Sequence, residues 1–131
     1  MMQIPTLQII FYLALLFLPK GATHFTISSD SPEKITWVHQ ADGSWQAKDD
    51  QGKDKGVWIT NASGVSISFQ EQTAITDVSK FIKSDQADGQ TNQVLLFDRP
   101  LMVSNSPTTL TFSQEKGGQL EKPLSISYGT N

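Results

Sequence analysis

Apolar positions fall into distinct regimes along the chain. Leu7 to Leu18 is one apolar block with a single Gln and no charge, closed by Pro19, Lys20, Gly21 and Ala22. From Lys34 to Asp49 and again from Val57 to Gln70 apolar and polar residues alternate with a period of two, as in half-buried strands. After Gln72 the spacing changes to i, i+3, i+7 at Ile75, Val78 and Ile82, and beyond it short apolar runs return, punctuated by Gly and Pro.

The first block has the length of a signal-peptide core. A membrane-spanning helix needs about 20 apolar residues, and this stretch is shorter even when counted from Ile4. Pro19 and Gly21 then break the helix ahead of a small-residue site, which places cleavage near Ala22. The expectation is a signal peptide over 1–22 and a single β-rich domain over 23–131, located outside the cytoplasm, periplasmic or secreted. The segment before the block has no Lys or Arg, and Lys20 follows it. Two alternatives therefore stand beside cleavage: an uncleaved segment tethering the domain to a membrane, and a core segment of the folded domain.

Two hairpins are read from the alternating region. Around Ala41-Asp42-Gly43, a three-residue loop with Gly43 left-handed puts Ile35, Trp37, His39, Trp45 and Ala47 on one face, which a two-residue turn would not do. A similar loop at Ala62-Ser63-Gly64 would pair Ile59 with Ile67 and Val57 with Phe69, collecting the aliphatic residues on one face. Trp58 then projects from the opposite face beside Thr60, Ser66 and Ser68.

The stripe at Ile75, Val78 and Ile82, flanked by Ala74 and Phe81, predicts one helix over 74–84, capped by Thr73 or Thr76 and closed by Asp88-Gly89. Gln93–Phe97, Leu101–Val103, Thr108–Phe112 and Leu124–Tyr128 read as further strands. The predicted fold is mainly β, a small antiparallel β-sandwich or barrel of about 7–9 short strands with that helix covering a face or an end.

Composition narrows the chemistry. The 131 residues carry a net charge of −3 and no Cys. Only Lys20 among the charged residues lies in 1–22, so the remaining 109 residues carry −4. No basic run exists to hold nucleic acid. The missing thiols remove disulfides, thiolate metal sites and attachment through a lipidated Cys. A membrane contact is expected only through the transient signal segment. The two histidines, His24 and His39, make an ordinary His-rich metal site improbable, and His24 falls in a flexible new N-terminus. No Gly-x-Ser-x-Gly, phosphate loop or His-Glu-x-x-His motif is present. The expectation is no enzyme, no cofactor and no metal. Asp49 to Gly56 gathers three carboxylates but departs from the calcium-loop pattern and reads as a solvated turn. Asn61-Ala62-Ser63 is a glycosylation sequon of consequence only in a glycosylating host.

The three Trp all lie between residues 37 and 58. They support two binding readings. In the first, an exported module recognises a protein partner or glycan through Trp58, Thr60, Ser66 and Ser68. In the second, a lipocalin-like carrier holds an apolar small molecule in a barrel interior lined by Trp37, His39 and Trp45. Gly56-Val57-Trp58 has the Gly-x-Trp form found in lipocalin-like barrels, but it lies mid-domain rather than before the first strand and assigns no family.

Overall fold

A computed structural model of the chain describes residues 5–28, 34–61, 64–87, 90–118, 120 and 122–130. Helix α1 (Thr6–Phe17) precedes twelve strands: β1 (Ala22–Ile27), β2 (Ile35–His39), β3 (Trp45–Asp49), β4 (Asp54–Thr60), β5 (Gly64–Phe69), β6 (Gln72–Asp77), β7 (Ile82–Ala87), β8 (Gln90–Leu96), β9 (Arg99–Pro100), β10 (Met102–Ser106), β11 (Thr109–Ser113) and β12 (Leu124–Thr130). The protein is mainly β and antiparallel, as the alternation predicts. Nine strands form one sheet in the order β10-β11-β12-β1-β2-β3-β4-β5-β6, and β7-β8-β9 form a small second one. The large sheet ends on β6 and β10, so it is open and not a closed barrel. The twelve strands exceed the expected 7–9.

Side chains alternate between buried and more exposed along β3, β11 and β12 of the large sheet. Phe25, Ile27, Ile35, Trp37, Trp45, Ala47, Trp58, Val65, Leu110, Phe112 and Ile126 are buried on its inner face. The apolar block at the N-terminus forms α1, which lies on this face with Ile9, Ile10, Phe11, Leu13 and Ala14 buried. Among the described residues no helix is long and apolar enough to cross a membrane.

The β2–β3 hairpin matches its predicted register. Trp37 pairs with Ala47 and His39 with Trp45. Gly43 sits at φ +94°, and its N–H donates to Gln40 O at 3.0 Å. Asp42 accepts from the Ser44 N–H and hydroxyl at 2.9 and 2.6 Å, fixing the loop.

The β4–β5 register differs by one residue from the expected one: Trp58 pairs with Ile67 and Ile59 with Ser66. Ala62 and Ser63 lie outside the described residues, but Asn61 N–H donates to Gly64 O at 3.0 Å and Gly64 N–H to Asn61 Oδ1 at 2.9 Å. This tighter closure turns Trp58 inward, 4% exposed, and leaves Ile59 45% exposed. Size decides the register. A Trp removes about 150–250 Å² from water, worth roughly 4–6 kcal/mol at ~25 cal/mol/Å², which outweighs the one Ile left outside.

No helix forms over 74–84. Those residues contribute β6, a turn and the start of β7, and every residue of β6 pairs with β5. Asp77 Oδ1 accepts from the Ser79 N–H and hydroxyl at 2.9 and 2.6 Å, while Phe81 and Ile82 N–H both reach Val78 O at 2.9 Å. The tight turn buries Val78 and Ile82 together, imitating helical spacing, while Ile75 stays 71% exposed. Asp88-Gly89, the expected helix end, lies outside the described residues. His24 is not in a loose terminus either. It belongs to β1, paired with Gly129 on one side and Val38 on the other.

Candidate functional site

The bed on which α1 lies gathers aromatic rings from four neighbouring strands. Strand alternation brings Phe25 of β1, Trp37 of β2, Trp45 of β3 and Trp58 of β4 to the same inner face, and the small Ala47 opposite Trp37 leaves room for the rings to meet. Phe25 stacks on Trp37 with centroids 4.9 Å apart and an interplanar angle of 21°. Trp58 meets Trp37 edge-on at 5.4 Å, and Trp45 meets Phe25 edge-on at 5.1 Å. Phe11 of α1 sits on this cluster, 5.2 Å from Trp58, 5.6 Å from Trp37 and 6.1 Å from Phe25. Further along, Phe17 contacts Phe112 of β11 at 5.8 Å, and α1 also lies against β5. The helix thus crosses the strands from β5 to β11.

Two indole nitrogens differ. Trp58 Nε1–H donates to Lys55 O at 3.0 Å. Trp37 is fully buried and its Nε1–H has no hydrogen-bond partner. A buried donor left unpaired costs about 1–3 kcal/mol.

The structure gathers one predicted residue set and splits the other. Trp37, His39 and Trp45 share the inner face, with His39 exposed at the rim and stacked on Trp45 at 4.4 Å and 17°. Trp58 and Thr60, by contrast, belong to the inner face, whereas Ser66 and Ser68 belong to the outer one, so the expected polar platform around an exposed Trp58 does not form. Sequence reasoning also missed Phe25 and Phe11. Phe25 and Ile27 alternate in β1, but a register irregularity between Ala22 and His24 breaks the pattern at its start. Phe11 is hidden within an apolar block that has no periodicity.

The outer face is different in kind. Ser106, Thr109, Ser127, Thr26 and Thr36 stand opposite one another on five consecutive strands, β10-β11-β12-β1-β2. Ser104, Thr111 and Ser125 form a parallel row. The Thr26 and Thr36 hydroxyls are 2.9 Å apart, and those of Thr111 and Ser125 3.4 Å.

The carboxylates serve turns. The Ser44 hydroxyl bond, then the Ser44 amide, hold Asp42 below the ordinary carboxyl range; the Lys53 amide does the same for Asp49 and the Ser79 hydroxyl for Asp77. In the expected solvated loop, Asp49 Oδ1 accepts from Gln51 and Lys53 N–H at 2.9 and 2.8 Å, and Asp54 accepts from Gly56 N–H and Gln46 Nε2. Among the described residues no group of three or more His, Asp or Glu is placed to hold a metal. No family model, curated protein or solved structure matches the chain.

Proposed function

We propose that the protein is an exported β-rich carrier whose inner sheet face holds an elongated apolar ligand, and that α1 is the export signal lying where that ligand sits after processing. The carrying observation is a mismatch between α1 and its position. A helix that stays half-buried keeps polar residues on its outer side. In α1 the polar groups are those of Thr6 and Gln8 and the hydroxyl of Tyr12, and Leu7, Leu15, Leu16 and Phe17 are only partly buried. The helix has no acidic residue in its first turn, no basic residue in its last and no side-chain N-cap bond, so it lacks the devices that stabilise a permanent helix. The sheet, by contrast, is segregated as a lasting apolar bed.

Loss of residues 1–22 leaves Phe25, Trp37, Trp58 and Phe112 without their helical cover. An open apolar face of this kind calls for an occupant. The open sheet replaces the closed barrel as the container, with Trp37, Trp45 and Trp58 lining it and His39 at its rim. The reading is tested by recovering the protein after export from the full reading frame. Intact mass should show a start near Ala22, and a fluorescent fatty acid should quench tryptophan emission on binding. Material that starts at Met1 and binds no probe overturns the proposal.

Recognition of a partner through a surface remains a second reading, carried by different residues. The hydroxyl rows through Thr26, Thr36, Thr109 and Ser127 present an uncharged, regularly spaced face suited to a neutral glycan. Retention on immobilised neutral glycans that Thr26→Val and Thr36→Val abolish supports it; unchanged retention removes it.

A further inference from the structure

The unpaired indole N–H of Trp37 sharpens the identity of the occupant, and this step rests on the carrier reading above. We infer that the bed takes an acyl lipid, a long apolar chain joined through an amide or ester, whose carbonyl accepts a hydrogen bond from Trp37 Nε1–H.

Trp37 is fully buried on the inner face of β2, in ring contact with Phe25, Trp58 and Phe11. Its donor finds no partner while α1 lies over it. The reason is chemical. The α1 ring packed on the indole, Phe11, carries no acceptor, and the interior carbonyls of α1 are committed to helical i→i−4 bonds. The strand carbonyls on either side are committed to the ladders with β1 and β3. The neighbouring Trp58 satisfies its own N–H through Lys55 O, so the site does not lack acceptors as a rule. Buried polar groups are nearly always paired, and an orphaned donor at the centre of a binding bed implies an acceptor brought by the ligand. The bed is as long as a 12-residue helix, about 18 Å at 1.5 Å per residue, which suits one long acyl chain. Among the described residues no Lys, Arg or His is buried with the ring cluster, which favours a neutral amide or ester over a free carboxylate at this depth.

The test uses protein recovered after export from the full reading frame, with two detergents below their micelle concentrations. N-decanoyl-N-methylglucamine and decyl glucoside share a ten-carbon chain and a polyol head; only the first has an amide carbonyl at the junction. The amide should bind about tenfold more tightly, the equivalent of one hydrogen bond of ~1.4 kcal/mol. Trp37→Phe should bring the amide to the affinity of the glucoside and leave the glucoside unchanged. In case the variant fails to fold, the ¹⁵N–¹H indole resonance of Trp37 in the unaltered protein gives a second readout: a downfield shift with the amide alone. Equal affinities with no such shift overturn the carbonyl assignment and leave the carrier reading standing. If neither detergent binds, both fall. A Lys-tagged peptide of residues 6–18 that outcompetes both detergents makes an apolar helix the occupant and overturns the acyl assignment.

Discussion

The two faces of the nine-stranded sheet share the same backbone ladders yet differ in what their side chains do. On the inner face, rings from four neighbouring strands interlock, with Trp37, Phe25, Trp45 and Trp58 each touching at least one other. On the outer face, Ser and Thr hydroxyls stand in rows, with pairs at 2.9 and 3.4 Å, among exposed Val38, Ile59 and Ile75. The lesson is that pairing makes the sheet but the inner face makes it stable. Cross-strand pairs on an open face contribute roughly 0.2–1 kcal/mol each, whereas truncating a buried aromatic costs about 3–5 kcal/mol.

The largest expected effect is therefore at Trp58. Trp58→Ala in the chain that keeps α1 should destabilise by ~3–5 kcal/mol in urea unfolding; a loss under ~1 kcal/mol there would mean that the tryptophan faces outward. Leu110→Ala, in the C-terminal half of the same face, comes next at ~2–5 kcal/mol, and it asks whether that half depends on packing as the Trp-bearing half does. Ile59→Thr sits on the outer face directly beside Trp58 and should stay within about ±0.5 kcal/mol. A cost comparable to that of Trp58→Ala erases the contrast between faces.

Acid sharpens the comparison at the turns. The carboxyl of Asp42 titrates below its ordinary 3.8 because Ser44 bonds its charged form. Its contribution is present above that value and is lost as pH falls through the lower folded-state value. Asp42→Asn should thus shrink the drop in melting temperature on acidification below 3.8, a small change because the group is solvent-exposed. Smallest of all is Phe11→Ala. Under the carrier proposal it leaves the stability of the exported protein unchanged, since the residue departs with the signal; a loss of ~3–5 kcal/mol makes α1 a permanent part of the core.

What the sequence disclosed follows from these energies. The β2–β3 hairpin was legible because one loop choice satisfied both the turn residues and the segregation of Trp37, Trp45 and Ala47. The β4–β5 register was not, because counting aliphatic residues treats Ile59 and Trp58 alike while the fold weighs them by area. The residues from Gln72 to Ile82 misled through coincidence: a turn that buries Val78 and Ile82 reproduces a helical interval, and β-branched Thr73, Ile75 and Thr76 were the contrary signal. Of the site, Trp37, His39 and Trp45 were readable from alternation alone. Phe25 depended on a pairing with β12 at the far end of the chain, and the unpaired Trp37 nitrogen depends on what every neighbour does with its own acceptor.

That pairing of the first strand with the last has a consequence in time. Thr23 Oγ1 donates to Gly129 O at 3.3 Å across 106 residues of chain, and β1 cannot complete its ladder until β12 exists. At ~5–20 residues per second of synthesis, the first strand waits roughly 5–20 s for its partner. Contacts of such long sequence separation also slow folding once the chain is whole. Until that seam closes, the Trp-bearing hairpins have only their own side of the sheet, so the chain is poised to stay unfolded for as long as it is being made.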